Sequence, residues 1–501
     1  MRMRILPGCR PVALVMACLV NVAALASPTL GQSLERWYML EMSGQRAGWS
    51  HSTQTRENAT ITTDTNMLFN LKRGPTEIKV TMGTSVVETD KGEIVTMRSL
   101  QKLGAMEVEQ KYVFREKDVE VTTTQAGASR TATQPRPEGA FLTPAAAEEF
   151  LKQRLASGAK EVTIRTLDPT TGLSPITATY TNFEPAIVKA QGRDIETTKM
   201  RVEASNAPGM PSHQYVDAAG VVVRVETQVG GMNVVMTLST ADEAKAATTK
   251  APELMISTFV TPDRPIEKPR TTTHGVYRLS ITEGDMPELP ATGSQAILES
   301  DKGVARVKIT ADTFTAAPEA DASNPAFTAA SAAADSTDTR ILELTKRALK
   351  DSGESKAQRA EALRRFTHTF IRRKSLGVGF ASATEVARTR EGDCSEHGVL
   401  LAAMLRADGI PSRVVAGLIY ADSFAGSERI FGYHMWTQAL LEIDGVKRWV
   451  DLDATLGKET PYDATHIALA LTDLADGEST TAMARMASVL GRLKIVVEEI
   501  R

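Results

Sequence analysis

The run Val399–Leu405 contains no polar side chain, so a helix built on it is apolar on every face and has to pass through a core. Its entry, by contrast, is polar. Gly392-Asp393-Cys394-Ser395-Glu396 precedes it, with Asp393 placed to cap the helix and Glu396 three residues on, an Asp-x-x-Glu variant of the capping box. Gly409 stops the helix and Pro411 follows just beyond.

Cys394 therefore falls at the first helical position. Unpaired backbone N–H groups and the helix dipole favour a thiolate there, while Asp393 and Glu396 oppose it by like charge, so a cationic partner is needed. The chain has three cysteines, and Cys9 and Cys18 lie in an opening segment that reads as a secretory signal. Arg2 and Arg4 give it a positive start, Pro11–Ala26 is almost wholly apolar, and Ala24-Leu25-Ala26 makes a small-residue cleavage site. Residues 1–26 are thus expected to be a signal peptide, and the protein to be exported to a periplasm or the exterior. The apolar stretch is shorter than the roughly 20 residues of a spanning helix. A lipid anchor at Cys18 is the weaker reading, because Met16 suits a lipoprotein site poorly and the apolar run continues to Ala26. Cys394 is then a lone thiol in a compartment that favours disulfides.

The expected partner is His434. Ser412–Tyr420 reads as a strand, Ala421–Gly432 as a loop, and Tyr433–Ile443 and Lys447–Asp453 as strands joined through Asp444-Gly445, a strong hairpin signal. With Ile443 opposite Val446, His434 falls opposite Thr455, and Asp453 is diagonal to it on the same face. Asp453 is thus the expected orienting carboxylate, and Asp451 is the alternative if the register slides. Imidazole would share the thiol proton while the carboxylate fixes its tautomer. His397, one turn along the helix from Cys394, points back toward the helix start and reads as a supporting residue.

These residues also carry a resemblance. Gly392-Asp393-Cys394-Ser395-Glu396-His397-Gly398, Leu405-Arg406-Ala407-Asp408-Gly409-Ile410-Pro411-Ser412-Arg413, His434-Met435-Trp436 and Trp449-Val450-Asp451-Leu452-Asp453-Ala454-Thr455 together resemble the core of the transglutaminase-like superfamily. The resemblance spans about 338–475 and implies an α+β papain-like fold with Cys394, His434 and Asp453 as a catalytic triad. It also implies acyl transfer or hydrolysis at amide bonds of a peptide or protein. One departure stands out: between Lys374 and Gly392 there is no Gln, Asn, Tyr or Trp to assist an oxyanion, which leaves the backbone N–H of Cys394 as one donor and the second unassigned.

The remainder of the chain reads as a multidomain arrangement. Residues 34–240 are β-rich, with Ile78, Val80 and Met82 alternating with polar neighbours and Gly230-Gly231 as a hairpin turn. One helix interrupts them, capped by Thr143 with Pro144 first and running to Leu155. Trp37 and Trp49 read as core or hairpin packing. Residues 250–312 are a further β-rich segment, 313–337 an Ala/Ser-rich linker or loose crossing, and 338–501 the catalytic domain. Within it, helices are expected from Ile341 to near Gly353 and from Ser355 to Arg373, the latter ending in the basic cluster Arg372-Arg373-Lys374. Trp436 and Trp449 read as core or cleft walls.

Lys+Arg 58 against Asp+Glu 61 leaves no basic field, so nucleic acid and anionic lipid are not expected as bulk electrostatic partners. No cofactor or metal is expected: the Asp451-x-Asp453-x-Thr455 string lacks the later ligands of a calcium loop, and Gly377-x-Gly379 is too short to hold phosphate. The competing reading is a non-catalytic exported scaffold, in which the N-terminal β-domain binds a wall polymer or a partner protein.

Overall fold

The computed structural model describes residues 33–501 except 74–75, 104–105, 126–127, 208, 230, 249, 283–285, 376–380, 476–488 and 490. The expected signal peptide, Cys9, Cys18, Gly230 and the Gly377-x-Gly379 string lie outside the described residues. The chain divides into two compact units, with the main division between Leu254 and Met255.

The first unit is a 14-stranded sheet in which Ser33–Met42 pairs both with Gln45–Glu57 and with Met232–Ser239. Alternation drives it: Ile78, Val80 and Met82 are buried while Glu77 and Lys79 face water. Val229 pairs with Met232, as a two-residue turn requires. The helix is Pro144–Ala156, but Thr143 does not cap it with its own side chain. Instead the buried Glu88 carboxylate accepts the Ala145 N–H at 3.2 Å and the Thr143 hydroxyl at 2.6 Å. Trp37 and Trp49 pack on each other with ring centroids 5.4 Å apart.

The second unit combines helices with two four-stranded sheets. Its helices are α1 (Thr339–Ala348), α2 (Lys356–Phe370), α3 (Ala383–Thr389) and α4 (Cys394–Ala407). Its strands are β1 (His274–Ile281), β2 (Gln295–Asp301), β3 (Val304–Thr310), β4 (Ser412–Phe424), β5 (Ser427–Ile443), β6 (Val446–Leu452), β7 (His466–Thr472) and β8 (Leu493–Ile500). The sheet orders are β6-β5-β4-β7 and β2-β3-β1-β8.

Helix α4 is the centre of this unit. Every residue from Ser395 to Arg406 is buried, with α1, α2 and α3 on one side and β4 and β5 on the other. Burying Val399, Leu400, Leu401, Met404 and Leu405 contributes roughly 10 kcal/mol of gross transfer free energy, most of it offset by lost conformational freedom. The large N-terminal β-rich region followed by a domain of mixed helices and sheets is the expected architecture.

Four local expectations need correction. Residues 313–337 are not a linker between domains, because they lie inside the second unit: Phe327 packs edge-on against Trp449, the Trp449 indole donates to Asp321, and the Ala317 N–H donates to the Lys447 carbonyl. Small residues permit this close approach, so poverty in large side chains did not mean looseness. Residues Ala421–Gly432 do not form a loop: β4 and β5 continue to a tight turn at Ala425 and Gly426, both with positive φ, because Ile430 and Phe431 are buried. Helix α2 ends at Phe370, and Arg373–Lys374 instead forms a short parallel pairing with Glu391–Gly392. Helix α1 likewise ends at Ala348, short of Gly353. Among the described residues no helix is long and apolar enough to cross a membrane.

Candidate active site

The mouth of α4 is built around a capping box. The Asp393 carboxylate accepts the Ser395 N–H at 3.0 Å, and the Glu396 carboxyl accepts the Asp393 N–H at 2.9 Å and the Ala381 N–H at 2.9 Å. Gly392 makes this possible, since a Cβ there would lie 2.3 Å from the Glu396 Cβ. Cys394 begins the helix as a half-buried free thiol.

Burial pushes the Cys394 thiol up, and the charge of Asp393 adds to the effect; the charge of Arg73 and, after it, the backbone N–H of Met435 pull the other way. The dipole alone therefore does not yield a resting thiolate, in keeping with the expected opposition of Asp393 and Glu396 and the need for a partner, and the cost of removing sulfur from water adds to that opposition. Burial and Asp393 also push the Glu396 carboxyl up. His397 is consumed locally: its Nδ1 donates to the Asp393 carbonyl and its Nε2 accepts from Lys374. Burial first, then the Lys374 charge, push its imidazole down to about 4.

Across the hairpin, Ile443 pairs with Val446 and Thr437 with Leu452. His434, on β5, is 7% exposed, and its Nε2 lies 2.8 Å from Asp453 Oδ2. The other ring nitrogen, Nδ1, makes no hydrogen bond among the described residues. Asp453, just past the end of β6, is 1% exposed, and its Oδ1 accepts the Thr455 N–H and hydroxyl, each at 2.7 Å. Burial alone would raise this carboxyl, but His434 and His466 hold it well below the usual carboxylate range. From α2, the Arg364 guanidinium donates to the carbonyls of Asp453, Leu456, Gly457 and Lys458 and clamps the turn.

Asp451 makes the same diagonal step to a different ring. Its Oδ1 accepts Trp436 Nε1 at 2.8 Å and Gln438 Nε2 at 2.7 Å, and its Oδ2 accepts the Ser294 N–H at 2.8 Å. The two aspartates thus divide the work: Asp453 meets His434, and Asp451 meets the Trp436 wall.

His466 was not foreseen. On β7, fully buried, its Nε2 lies 3.2 Å from the same Asp453 Oδ2 that His434 uses. Strand β4 runs between β5 and β7, and at Gly417 it carries no side chain; a Cβ there would come within 2.8 Å of the Trp436 ring. A signal existed in the sequence, since Asp453-Ala454-Thr455 recurs as Asp463-Ala464-Thr465 immediately before His466. Ligand atoms of His434, Asp453 and His466 all lie within 4.8 Å of one another, a spacing that could also hold a metal ion. Their direct N···O contacts nevertheless have hydrogen-bond lengths.

A thiol at the mouth of a helix that packs on the strand carrying an imidazole, itself paired with a saturated carboxylate, is the equipment of thiol-dependent catalysis. Residues 342–454 match the model of the transglutaminase-like superfamily, so the chain carries a transglutaminase-like domain. Among solved structures, a β-barrel-like protein of unknown function from Brucella abortus is similar at 11% identity over 41% of this chain and 94% of its own, with a TM-score of 0.32. A candidate cysteine protease from Cytophaga hutchinsonii is similar at 14% identity over 46% of this chain and 87% of its own, with a TM-score of 0.29. A candidate protease from Parabacteroides distasonis shows 13% identity over 71% of this chain and 63% of its own, with a TM-score of 0.17. A search of curated proteins returns no match.

Proposed function

We propose that this protein is an exported thiol enzyme that transfers or hydrolyses acyl groups at amide bonds of a peptide or protein, with Cys394 as nucleophile. The observation that carries this reading is the 2.8 Å contact from His434 Nε2 to Asp453 Oδ2, made on β5, a strand against which the Cys394 helix packs. With its Nε2 proton held by Asp453, the imidazole presents Nδ1 as an acceptor.

Because the resting thiol is held neutral by burial and Asp393, the proton leaves sulfur for His434 as the substrate engages. The sulfur attacks the amide carbonyl carbon and a C–S bond forms. The C–N bond then breaks, and His434 returns the proton to the leaving amine. Water or a second amine cleaves the thioester and regenerates the thiol. The Cys394 backbone N–H, which makes no hydrogen bond among the described residues, is available to the developing oxyanion. The transglutaminase-like match supports this class of chemistry. Export is supported by the signal-like pattern of residues 1–26.

The test is labelling by a thiol-directed alkylating probe at neutral pH, followed by mass spectrometry of Cys394 after incubation with a library of amide substrates. Wild type should label and accumulate an acyl mass on Cys394, and Cys394→Ala should do neither. A wild-type protein inert to the probe at neutral pH would favour the scaffold reading.

A further inference from the structure

The contacts of His466 constrain its protonation by geometry alone. Its Nδ1 lies 3.0 Å from the Asp463 backbone carbonyl, and its Nε2 lies 3.2 Å from Asp453 Oδ2. Both neighbours are acceptors. A neutral imidazole has one N–H and would turn a lone pair toward one of them, whereas only the imidazolium donates at both nitrogens.

Compensating charge is at hand. Asp463 Oδ1 lies 3.4 Å from His466 Nδ1, and Asp463 Oδ2 is held by Arg270 Nη1 at 2.5 Å. Asp463 Oδ1 is further fixed by the Thr465 N–H at 2.9 Å and its hydroxyl at 2.5 Å. Arg270, Asp463, His466 and Asp453 therefore form a line of alternating charge that ends at His434.

We infer that His466 is a positioning residue of this site: sharing Asp453 Oδ2 with His434, and backed by Asp463 and Arg270, it sets both the place and the charge of the carboxylate that orients His434. The inference rests on the reading of Cys394, His434 and Asp453 given above.

The surroundings agree. The Tyr462 ring stacks on His466 with centroids 4.2 Å apart, and Trp436 meets it edge-on at 5.3 Å. Ionisable groups on the elements packed around it are the Tyr277 phenol, which donates to the Ala464 carbonyl, the Tyr420 phenol, which accepts the Ile266 N–H, and Asp451, which is occupied by Trp436; Lys374, which feels the Asp453 charge, is bonded to His397. Burial by itself disfavours a charged His466, but Asp463 and Asp453 outweigh it and raise the imidazole to about 9. Four donors then converge on Asp453, two at each oxygen, so the carboxylate has one orientation available to it.

Removing the His466 charge leaves Asp453 to act on His434 alone. His434 would hold a proton more firmly and become free to accept the thiol proton only at higher pH.

The experiment is the rate of Cys394 alkylation by iodoacetamide against pH, which needs no natural substrate. His466→Gln keeps an amide donor for Asp453 without the charge, and Asp463→Asn removes the anion behind the ring. Each should move the acid limb of the profile upward by about one pH unit. A His466→Gln profile superimposed on wild type, with His434→Ala abolishing the enhanced rate, would overturn the inference and leave the proposed function standing. A His434→Ala profile equal to wild type would instead overturn the reading of the site itself. Stoichiometric metal in the purified protein, lost in His466→Gln, would overturn the inference in favour of a metal site. Should neither variant fold, ring 15N shifts of wild type decide: His466 doubly protonated at pH 8 is expected, and a neutral ring refutes the role.

Discussion

Replacing Asp451 with Ala separates the two aspartates of the hairpin. Asp451 touches no catalytic candidate, yet it accepts Ser294 N–H and Oγ at 2.8 and 3.0 Å, Trp436 Nε1 at 2.8 Å and Gln438 Nε2 at 2.7 Å. All of these donors are buried. A hydrogen bond to a charged acceptor contributes about 1.5–3 kcal/mol, but the four are not additive and water entering the vacated space satisfies some of them. A net loss of about 4 kcal/mol follows, in the range for breaking a buried charged network. For a unit of this size each kcal/mol moves Tm by about 2–4 °C, so calorimetry should show a fall of about 12 °C. At low temperature, where the variant is folded, Cys394 alkylation should stay within about three-fold of wild type, because His434 keeps Asp453. A Tm within about 2 °C of wild type would refute the stability reasoning. Alkylation lost in the folded variant would make Asp451 the orienting carboxylate.

Asp453→Asn should do the reverse, lowering Cys394 reactivity by at least about 100-fold while the protein stays folded, as followed by alkylation kinetics and circular dichroism. Stability should also depend on pH in two windows. Asp453, held below its ordinary value, stabilises above about pH 4 and loses that contribution as pH falls, whereas His466, raised to about 9, stabilises fully below about 6.5 and loses about 3 kcal/mol as pH rises toward 9. Denaturant melts across pH should show both edges, and His466→Gln should flatten the alkaline one. Gly417→Ala would bring a Cβ within 2.1 Å of the Ile467 carbonyl oxygen, and a loss of about 2 kcal/mol is expected in urea unfolding. Arg364→Met strips four carbonyls of the Asp453 turn of their donor, so both melting temperature and alkylation rate should fall.

What could be read from the sequence was local. The cap at Asp393, the stop at Gly409 and the Asp444-Gly445 turn each depend on neighbours within a few residues, and together they place Cys394, His434 and Asp453 in order along the chain. Once the loop length is fixed, period-two alternation carries the register across the hairpin without further information. His466 escaped because it reaches Asp453 through the pairing of β7 with β4, in which Ile419 faces His466, and no local pattern announces such a pairing. The packing of 313–337 is hidden for a similar reason: its partners, Trp449, Arg413 and Lys447, lie about a hundred residues on. The contribution of burial to the state of the thiol is not legible in the sequence, because desolvation depends on what closes over the helix mouth, which the helix itself does not encode.

The pairing of β1 with β8 has a practical consequence for anyone excising this domain. Residues 342–454 carry the family signature, but β1, β8, Ser294, Arg270 and His466 all lie beyond those limits. A fragment trimmed to the signature would bare the edge of the hairpin sheet where β7 belongs and leave the Asp451 and Asp453 carboxylates short of donors. Such a piece should be insoluble or molten, so its inactivity would report poor cutting rather than absent chemistry.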